Sequence, residues 1–303
     1  MTDGISWVAR TGSQIGKWAS VASNGAVLVA VSYSSAGVQT SADGLVWIPR
    51  AQVPAGQFYN QVIWVPELGL FVAIGGGGTS AVMTSPDGGT WTQRTIPNPA
   101  AQWNSVAWNG TRLVAVGLNG QFNGGGVMTS TDAVTWVQQA STGLHSSFEG
   151  CASIAHDGTV FAACHNGGVP NQSAMTSPDG LAWTARTTAD SGVSGNWLSM
   201  SARPGQLLML STVLIANDGV MTSDDHGATW ARHTLDGSGS YRGGVWTGNN
   251  WVIVADSVGT GQSVQTSPTG ATWTGQPDSL AGTGSFWNAV CKHGSSLLVA
   301  VGG

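Results

Sequence analysis

One short segment recurs through the chain and constrains its fold more than any other feature. Six copies begin with Ser and end with Trp, and their serines lie 44 to 47 residues apart. A truncated seventh copy, Asp3 to Trp7, opens the sequence. A fixed period in this range is typical of repeat architectures in which each repeat is one supersecondary unit. We call the segment the repeat turn, and its six full copies are residues 41–47, 85–91, 130–136, 177–183, 223–230 and 267–273.

Each repeat also has the pattern of four short strands. In the third repeat, Asn109-Gly110 is a strong hairpin signal between two strands, and the second of these is largely apolar. A glycine-rich loop, a short third strand, the repeat turn and a fourth strand complete the unit. The strands are predicted over residues 103–108, 111–116, 127–129 and 135–139. Four antiparallel strands in about 45 residues favour a propeller blade.

Counting the repeats predicts the whole architecture. Seven first strands, seven second strands and seven turn tryptophans predict an all-β fold, a seven-bladed β-propeller of four-stranded blades, as one domain over residues 1–303. The N-terminal strand, residues 5–10, is expected to join the C-terminal strands, so that blade 7 is shared between residues 1–10 and 287–303. No third strand is evident for that blade. We therefore predict a three-stranded closing blade, and a gap filled by a partner chain is the alternative.

Composition excludes several functions. Charged residues make up 8% of the chain, the net charge is −5, and there are ten Lys plus Arg with no basic run. Nucleic-acid binding is therefore not expected. No apolar stretch reaches the roughly 18 residues of a membrane helix, and the N-terminus has no signal-peptide pattern. We expect no membrane insertion.

Cysteines and histidines give no clear chemistry. If Asp157-Gly158 were a two-residue hairpin turn, Cys151 would face Cys164, either as two buried thiols or as a disulfide. The three cysteines of the chain argue against a disulfide framework. Three histidines in one blade are interpreted as incidental, so no metal or cofactor is expected; they are His145, His156 and His165.

The repeat turn resembles the Asp-box, or bacterial neuraminidase repeat, with the pattern Ser-x-Asp-x-Gly-x-Thr-Trp. Residues 223–230 fit it in full, and the other copies look like a form that is one residue shorter. The resemblance implies a sialidase-like propeller whose box turn joins the third and fourth strands of a blade, away from the catalytic face. It implies a looser turn where Thr269 replaces the Asp. It implies structural roles for Asp3, Asp43, Asp87, Asp132, Asp179 and Asp225.

Arginines bear on whether such a scaffold is catalytic. Sialidases clamp a substrate carboxylate with three arginines and carry a Phe-Arg-Ile-Pro motif, which Trp47-Ile-Pro-Arg50 is not. Five arginines recur two or three residues after a turn tryptophan, as scaffold residues do, namely Arg10, Arg50, Arg94, Arg186 and Arg232. The remaining three do not make a convincing clamp, and they are Arg112, Arg203 and Arg242.

A propeller has two faces, and the repeats distinguish them. The turn face carries the repeat turns and the hairpins between first and second strands. The loop face carries the other loops, where amides, an aromatic ring and carboxylates suit a sugar or a polar protein surface. The candidate ligand-binding residues are Asn119, Gln121, Phe122, Asn123, His165, Asn166, Asn171, Gln172, Asp218 and Asp256. Other acidic residues of this face are Glu149, Asp190, Asp236 and Asp278.

Two functions remain open on sequence alone. The first is a non-catalytic recognition or structural protein that binds a glycan, a protein receptor or other virion proteins. Such a protein would be extracellular or virion-associated, similar in style to the propellers of phage tails and to adhesins. The alternative is an Asp-box glycoside hydrolase, for which a pair of loop-face carboxylates would be needed.

Overall fold

The computed structural model describes most of the chain. The described residues are 4, 6–8, 10, 16–34, 37–51, 57–76, 82–99, 101–118, 126–139, 151–165, 172–188, 197–212, 219–277, 287–295 and 297–303. They form antiparallel sheets arranged as an all-β propeller with four-stranded blades. This part of the chain contains no helix of the length and apolarity that a membrane crossing needs.

Six sheets have four strands each, paired in chain order. The first three comprise β1 (Trp18–Ser23), β2 (Leu28–Ser32), β3 (Val38–Ser41), β4 (Ile48–Arg50); β5 (Phe58–Val65), β6 (Leu70–Gly76), β7 (Val82–Ser85), β8 (Thr92–Arg94); β9 (Gln102–Trp108), β10 (Leu113–Leu118), β11 (Gly126–Ser130), β12 (Val137–Gln138). The next three comprise β13 (Cys151–His156), β14 (Phe161–His165), β15 (Ala174–Ser177), β16 (Thr184–Arg186); β17 (Trp197–Arg203), β18 (Gln206–Ser211), β19 (Val220–Ser223), β20 (Ala231–His233); β21 (Gly237–Trp246), β22 (Trp251–Gly261), β23 (Val264–Ser267), β24 (Thr274–Gln276). A seventh sheet has two strands, β25 (Trp287–His293) and β26 (Leu297–Gly302).

The core lies between neighbouring sheets. Trp91 of the second sheet packs in one buried cluster with Val29 and Val38 of the first. Trp136 of the third sheet packs in the same way with Val72 and other residues of the second. The turn tryptophans therefore fill the space between blades as large apolar side chains.

First strands line the centre of the molecule. Each contacts the first strand of the next sheet, from β1 through β5, β9, β13, β17 and β21 to β25, and β25 in turn contacts β1. The inner wall thus includes the two-stranded sheet together with the six complete ones.

Two strands of the predicted closing blade lie among the described residues. Residues 287–302 contribute two strands, and residues 6–8 and 10, the described part of the predicted N-terminal strand, lie outside any strand. Neither the three-stranded closing blade nor a strand over residues 5–10 is therefore present among the described residues.

The prediction that Cys151 faces Cys164 on the neighbouring strand is wrong. His156 pairs with Phe161, so four residues connect the strands, and a β-bulge follows Cys151. Cys151 consequently faces His165, and Cys164 faces Ser153. Both cysteines are free and buried, and burial raises the pKa of the Cys151 thiol to about 12.

Candidate functional site

The central cavity opens between the first strands and has a volume of about 1170 Å³. All seven first strands contribute to its lining, and each contains a β-bulge at the same position, whose extra residue lines the cavity. These seven bulge residues are Ala19, Asn60, Asn104, Ala152, Leu198, Arg242 and Asn288.

The three bulge asparagines connect neighbouring blades. Each donates a side-chain N–H to the carbonyl oxygen of the residue before the bulge in the next first strand. The bonds are Asn60 Nδ2 to Trp103 O at 2.9 Å, Asn104 Nδ2 to Cys151 O at 3.0 Å, and Asn288 Nδ2 to Trp18 O at 3.0 Å. These amides serve the scaffold, although they line the cavity. Sequence reasoning missed them, although an asparagine follows the first-strand aromatic in three repeats.

Serines at the next position make similar connections. The Ser20 hydroxyl accepts the N–H of Val62 at 3.2 Å, and the Ser105 hydroxyl accepts the N–H of Ile154 at 3.0 Å. Much of the polar wall is therefore already hydrogen-bonded to the neighbouring blade.

Arg242 gives the wall a charged group at the sixth blade. It occupies a bulge position, and its Nε donates to the carboxylate of Asp256 on the adjacent strand β22. The Arg242 side chain is 40% exposed and that of Asp256 is 17% exposed, and both line the cavity. Lys17, which precedes β1, and Lys292 of β25 add two further cations to the lining.

Two exposed aromatic rings lie near this opening on the loop face. Tyr33 follows β2 and is 58% exposed, and Phe58 begins β5 and is 39% exposed. Their ring centroids are 6.0 Å apart, and the Tyr33 backbone N–H donates to Lys17 O at 2.8 Å. Sequence reasoning did not select this pair. The sequence feature that could have identified the pair was an aromatic residue at the loop-face end of each of two strands.

The predicted ligand-binding residues fall into three groups. His165 and Gln172 lie together, since His165 Nε2 is 2.7 Å from the Gln172 carbonyl oxygen, but His165 is only 2% exposed and its ring lies inside the blade. Asp256 lies at the cavity, as described above. The others lie outside the described residues: Asn119, Gln121, Phe122, Asn123, Asn166, Asn171 and Asp218.

The remaining acidic loop-face residues do not extend the site in the described part of the chain. Asp236 Oδ2 accepts the N–H of Gly275 at 3.1 Å, a bond within its own blade. Glu149, Asp190 and Asp278 lie outside the described residues. No group of three His, Cys, Asp or Glu side chains that could hold a metal ion is found within the described ranges.

Aspartates of the repeat turns bond to the backbone of their own turns. Asp87 Oδ1 accepts N–H groups from Gly89 and Thr90, both at 2.8 Å, and the Ser85 hydroxyl at 3.0 Å. The backbone donors, that of Thr90 first, hold the pKa of Asp87 below its ordinary value. Asp43, Asp132, Asp179 and Asp225 make equivalent bonds, whereas Asp3 lies outside the described residues.

The repeated arginines are held within their own sheets. Their Nε atoms donate to a third-strand threonine at 2.7–2.9 Å, in the pairs Arg50–Thr40, Arg94–Thr84 and Arg186–Thr176. In the fifth sheet His233 makes this contact, with Thr222 at 2.7 Å, so placing Arg232 in the repeated set was wrong. Of the described arginines, one lines the cavity, which does not make a three-arginine clamp.

On the turn face, side chains of several different types join successive blades. The Trp108 indole N–H donates to Glu67, and His226 Nδ1 lies 2.7 Å from Asp157. Three side chains donate to main-chain carbonyls, in the pairs Arg112 Nη1 to Asp179 O, Gln206 Nε2 to Thr269 O and Lys292 Nζ to Thr247 O. His293 contacts Ser23 Oγ and Ala42 O. We call these contacts the turn-face clasps. Burial acts to raise the pKa of Asp157, but hydrogen bonds from Val160, His226 and Thr159 outweigh it and the pKa is lowered.

Comparisons with known proteins identify the fold. No family model and no curated protein sequence matches the chain. Among solved structures, YCF48 bound to a D1 peptide is 15% identical with a TM-score of 0.70, covering 98% of this chain and 92% of that one. A streptogramin B lyase is 11% identical with a TM-score of 0.76, covering 97% and 94%.

An enzyme is also among the structural neighbours. The GH74 enzyme of Niastella koreensis is 14% identical with a TM-score of 0.52, and it covers 92% of this chain and 56% of that one. Identities this low support the propeller fold alone. The same scaffold thus carries a peptide-bound protein in one neighbour and enzymes in others.

Proposed function

We propose that this chain is a non-catalytic recognition propeller that binds a glycan or a protein partner at its loop face. The observation that supports this most is the exposed Tyr33–Phe58 pair near a cavity opening that carries Lys17, Arg242 and Asp256. Aromatic faces pack on the apolar faces of sugars and on protein side chains, and charged groups fix orientation. We further propose an extracellular or virion-associated setting, as in an adhesin or a phage-tail protein.

We also propose that the ring has seven blades, of which the two-stranded sheet is the seventh. Asn288 bonds to Trp18 O as Asn60 bonds to Trp103 O. The N-terminal turn supports the same closure, because the Trp7 indole N–H donates to Gly4 O at 2.8 Å. The corresponding bond from Trp91 to Gly88 O, within a complete repeat turn, is 2.9 Å.

The Asp-box glycoside hydrolase remains the alternative proposal. Such enzymes need two carboxyl groups about 5–9.5 Å apart. Within the described residues, Asp256 is the one carboxylate among the cavity-lining side chains, and it is paired with Arg242. This arrangement favours binding over hydrolysis.

A glycan array and a bacterial-surface binding assay would test the recognition role. Tyr33→Ala and Phe58→Ala are each expected to weaken binding about five- to tenfold, the size of an aromatic contact. Val46→Ala, an exposed apolar residue of a repeat turn, is the matched control and should leave binding unchanged. Phe122→Ala and Asn171→Ala extend the test to the predicted loops.

Two results would contradict this proposal. Unchanged binding in all four loop-face variants would remove the loop face as the site. Hydrolysis of a fluorogenic glycoside by the wild-type protein, abolished by Asp256→Asn, would establish the enzyme alternative.

A further inference from the structure

The same four residues, Leu-Val-Ala-Val, occur at the same place in three second strands but are buried to different extents. In β2 (28–31) and β10 (113–116) every one of them is 0% exposed. In β26 (298–301) the first three are half-buried and only Val301 is buried. Since the sequence is identical, the difference comes from the neighbours of the strand.

The neighbour that β26 lacks within the described ranges is a third strand. β2 and β10 are covered by β3 and β11, whereas β26 pairs only with β25 among the described residues. In the first blade Ser32 N–H donates toward the third-strand side, to Gly37 O, and alternate residues of an antiparallel strand point the same way. The equivalent N–H groups of β26, those of Leu298, Ala300 and Gly302, therefore face its open edge.

The N-terminal turn, Gly4 to Trp7, which would follow a third strand of the seventh sheet, is already packed against the sixth blade. A Cβ added to Gly4 would meet Val252 and Thr266 of the sixth blade, just as one added to Gly88 would meet Val29 and Thr40 of the first. Trp7 also packs in the cluster that contains Leu298 and Ala300. The N-terminal turn is thus docked where a seventh repeat turn belongs.

The chain itself shows what fits the gap. Third strands of the six complete blades read apolar–Met/Gln–Thr–Ser, and all six copies pair within their own sheets: 38–41, 82–85, 127–130, 174–177, 220–223 and 264–267. The sequence holds seven turn tryptophans and six copies of this four-residue motif. Arg10 is exposed and follows Trp7 by three residues. In the first blade the equivalent residue, Arg50, donates a hydrogen bond to the third-strand residue Thr40.

We propose that the open edge of β26 accepts a strand of a different protein with the sequence character apolar–Met/Gln–Thr–Ser. The strand completes the seventh sheet between β26 and the N-terminal turn by main-chain pairing. The threonine hydroxyl of this strand accepts a hydrogen bond from the guanidinium group of Arg10. This inference rests on the ring closure proposed above and is independent of recognition at the loop face.

A synthetic peptide with the sequence of residues 219–225, Gly-Val-Met-Thr-Ser-Asp-Asp, is the probe. Its binding to the full chain is measured by fluorescence polarisation. Replacing its Met by Pro removes a main-chain donor and should weaken binding at least tenfold. Replacing its Thr by Val removes the Arg10 partner and should weaken binding about threefold.

Amide hydrogen exchange locates the bound peptide and has a control within the molecule. In the free protein, Leu298 and Ala300 should exchange faster than Leu28 and Ala30, their counterparts in β2. Saturating peptide should slow Leu298 and Ala300 at least tenfold and leave Leu28 and Ala30 unchanged. Fusing the peptide sequence ahead of Met1 should give the same protection and abolish binding of the free peptide.

Several outcomes would overturn the proposal. Exchange of Leu298 and Ala300 as slow as that of Leu28 and Ala30 in the free monomer would mean that the edge is already covered. Protection by the fused peptide without binding of the free one would exclude a separate partner strand. Doubled mass in sedimentation, with the edge protected, would assign it to a second copy. Failure of peptide binding while Trp7→Ala still destabilises the fold would refute the strand acceptor but not the ring closure.

Discussion

Restoring the missing aspartate of the last repeat turn tests how these turns stabilise the blades. Asp87 accepts three hydrogen bonds, whereas the hydroxyl of Thr269 accepts one within the described chain, from Ala271 N–H at 3.2 Å. Thr269→Asp should add the bonds from Thr272 N–H and the Ser267 hydroxyl. Two added bonds to a carboxylate at an exposed turn, each competing with water, give about 1 kcal/mol of added stability. For a chain of this length, that is a rise of about 2 °C in Tm.

The stability gained in Thr269→Asp should depend on pH. Backbone N–H donors lower the pKa of Asp87, the residue at the same position of the second repeat turn, in the folded state. The pKa of the carboxylate introduced by Thr269→Asp should be lowered in the same way. The gain is therefore fully present above the unfolded pKa, near 4, and is lost as pH falls through the lower folded pKa. Thr269→Asn keeps an oxygen acceptor without the charge, so its smaller gain should be independent of pH.

Urea denaturation and thermal melts at pH 7 and pH 2.5 provide the measurements. The reasoning fails if Thr269→Asp adds no stability at pH 7, or if its gain is as large at pH 2.5 as at pH 7. The reciprocal change, Asp87→Thr, should lose a similar amount at pH 7 only.

Three further predictions concern the joints between blades. Asp157→Ala should lower the free energy of unfolding by about 2 kcal/mol in urea titrations, because three donors lose a buried acceptor; His226→Ala should cost less than half of that. Asn288→Ala and Asn60→Ala should each cost about 1 kcal/mol, and a null effect of the former alone would argue against closure at the seventh sheet. Trp7→Ala should cost about 2 kcal/mol by calorimetry, since a half-buried tryptophan leaves the last interblade cluster, and an unchanged melt would contradict that packing.

The repeated features were predictable because each is encoded locally. The spacing of Ser, Asp and Trp in residues 85–91 predicts a side-chain-stabilised turn between strands, and the structure has the bonds from Ser85, Gly89 and Thr90 to Asp87. Apolar second strands predict coverage on both faces, which β2 and β10 confirm.

Features that depend on neighbouring strands were not predictable in this way. A hairpin rule gave the wrong partner for Cys151, because the connection has four residues and not two, and the β-bulge after Cys151 compensates for only one of the two extra residues. The role of Asn60 depends on a carbonyl in the next blade, 43 residues away. His226 is the extra residue of the longest repeat turn, yet only the ring places it beside Asp157. The loop-face residues that differ most between repeats lie largely outside the described ranges, so sequence remains the basis for assigning them.

The turn-face clasps have a consequence for how the ring assembles. Repeats with near-identical strands can dock in the wrong order during folding, and such misassembly is a characteristic failure of repeat proteins. The joint between the fourth and fifth blades is specific, because Asp157 contacts His226, which is inserted in one repeat turn. Arg112 and Gln206, by contrast, occupy equivalent positions, and each donates to the main-chain carbonyl of the third residue in the repeat turn of the next blade. A blade docked out of order would leave Asp157 buried without its histidine, which penalises the wrong arrangement. The Asp157–His226 clasp thus favours one order of blades whose strands are otherwise near-identical.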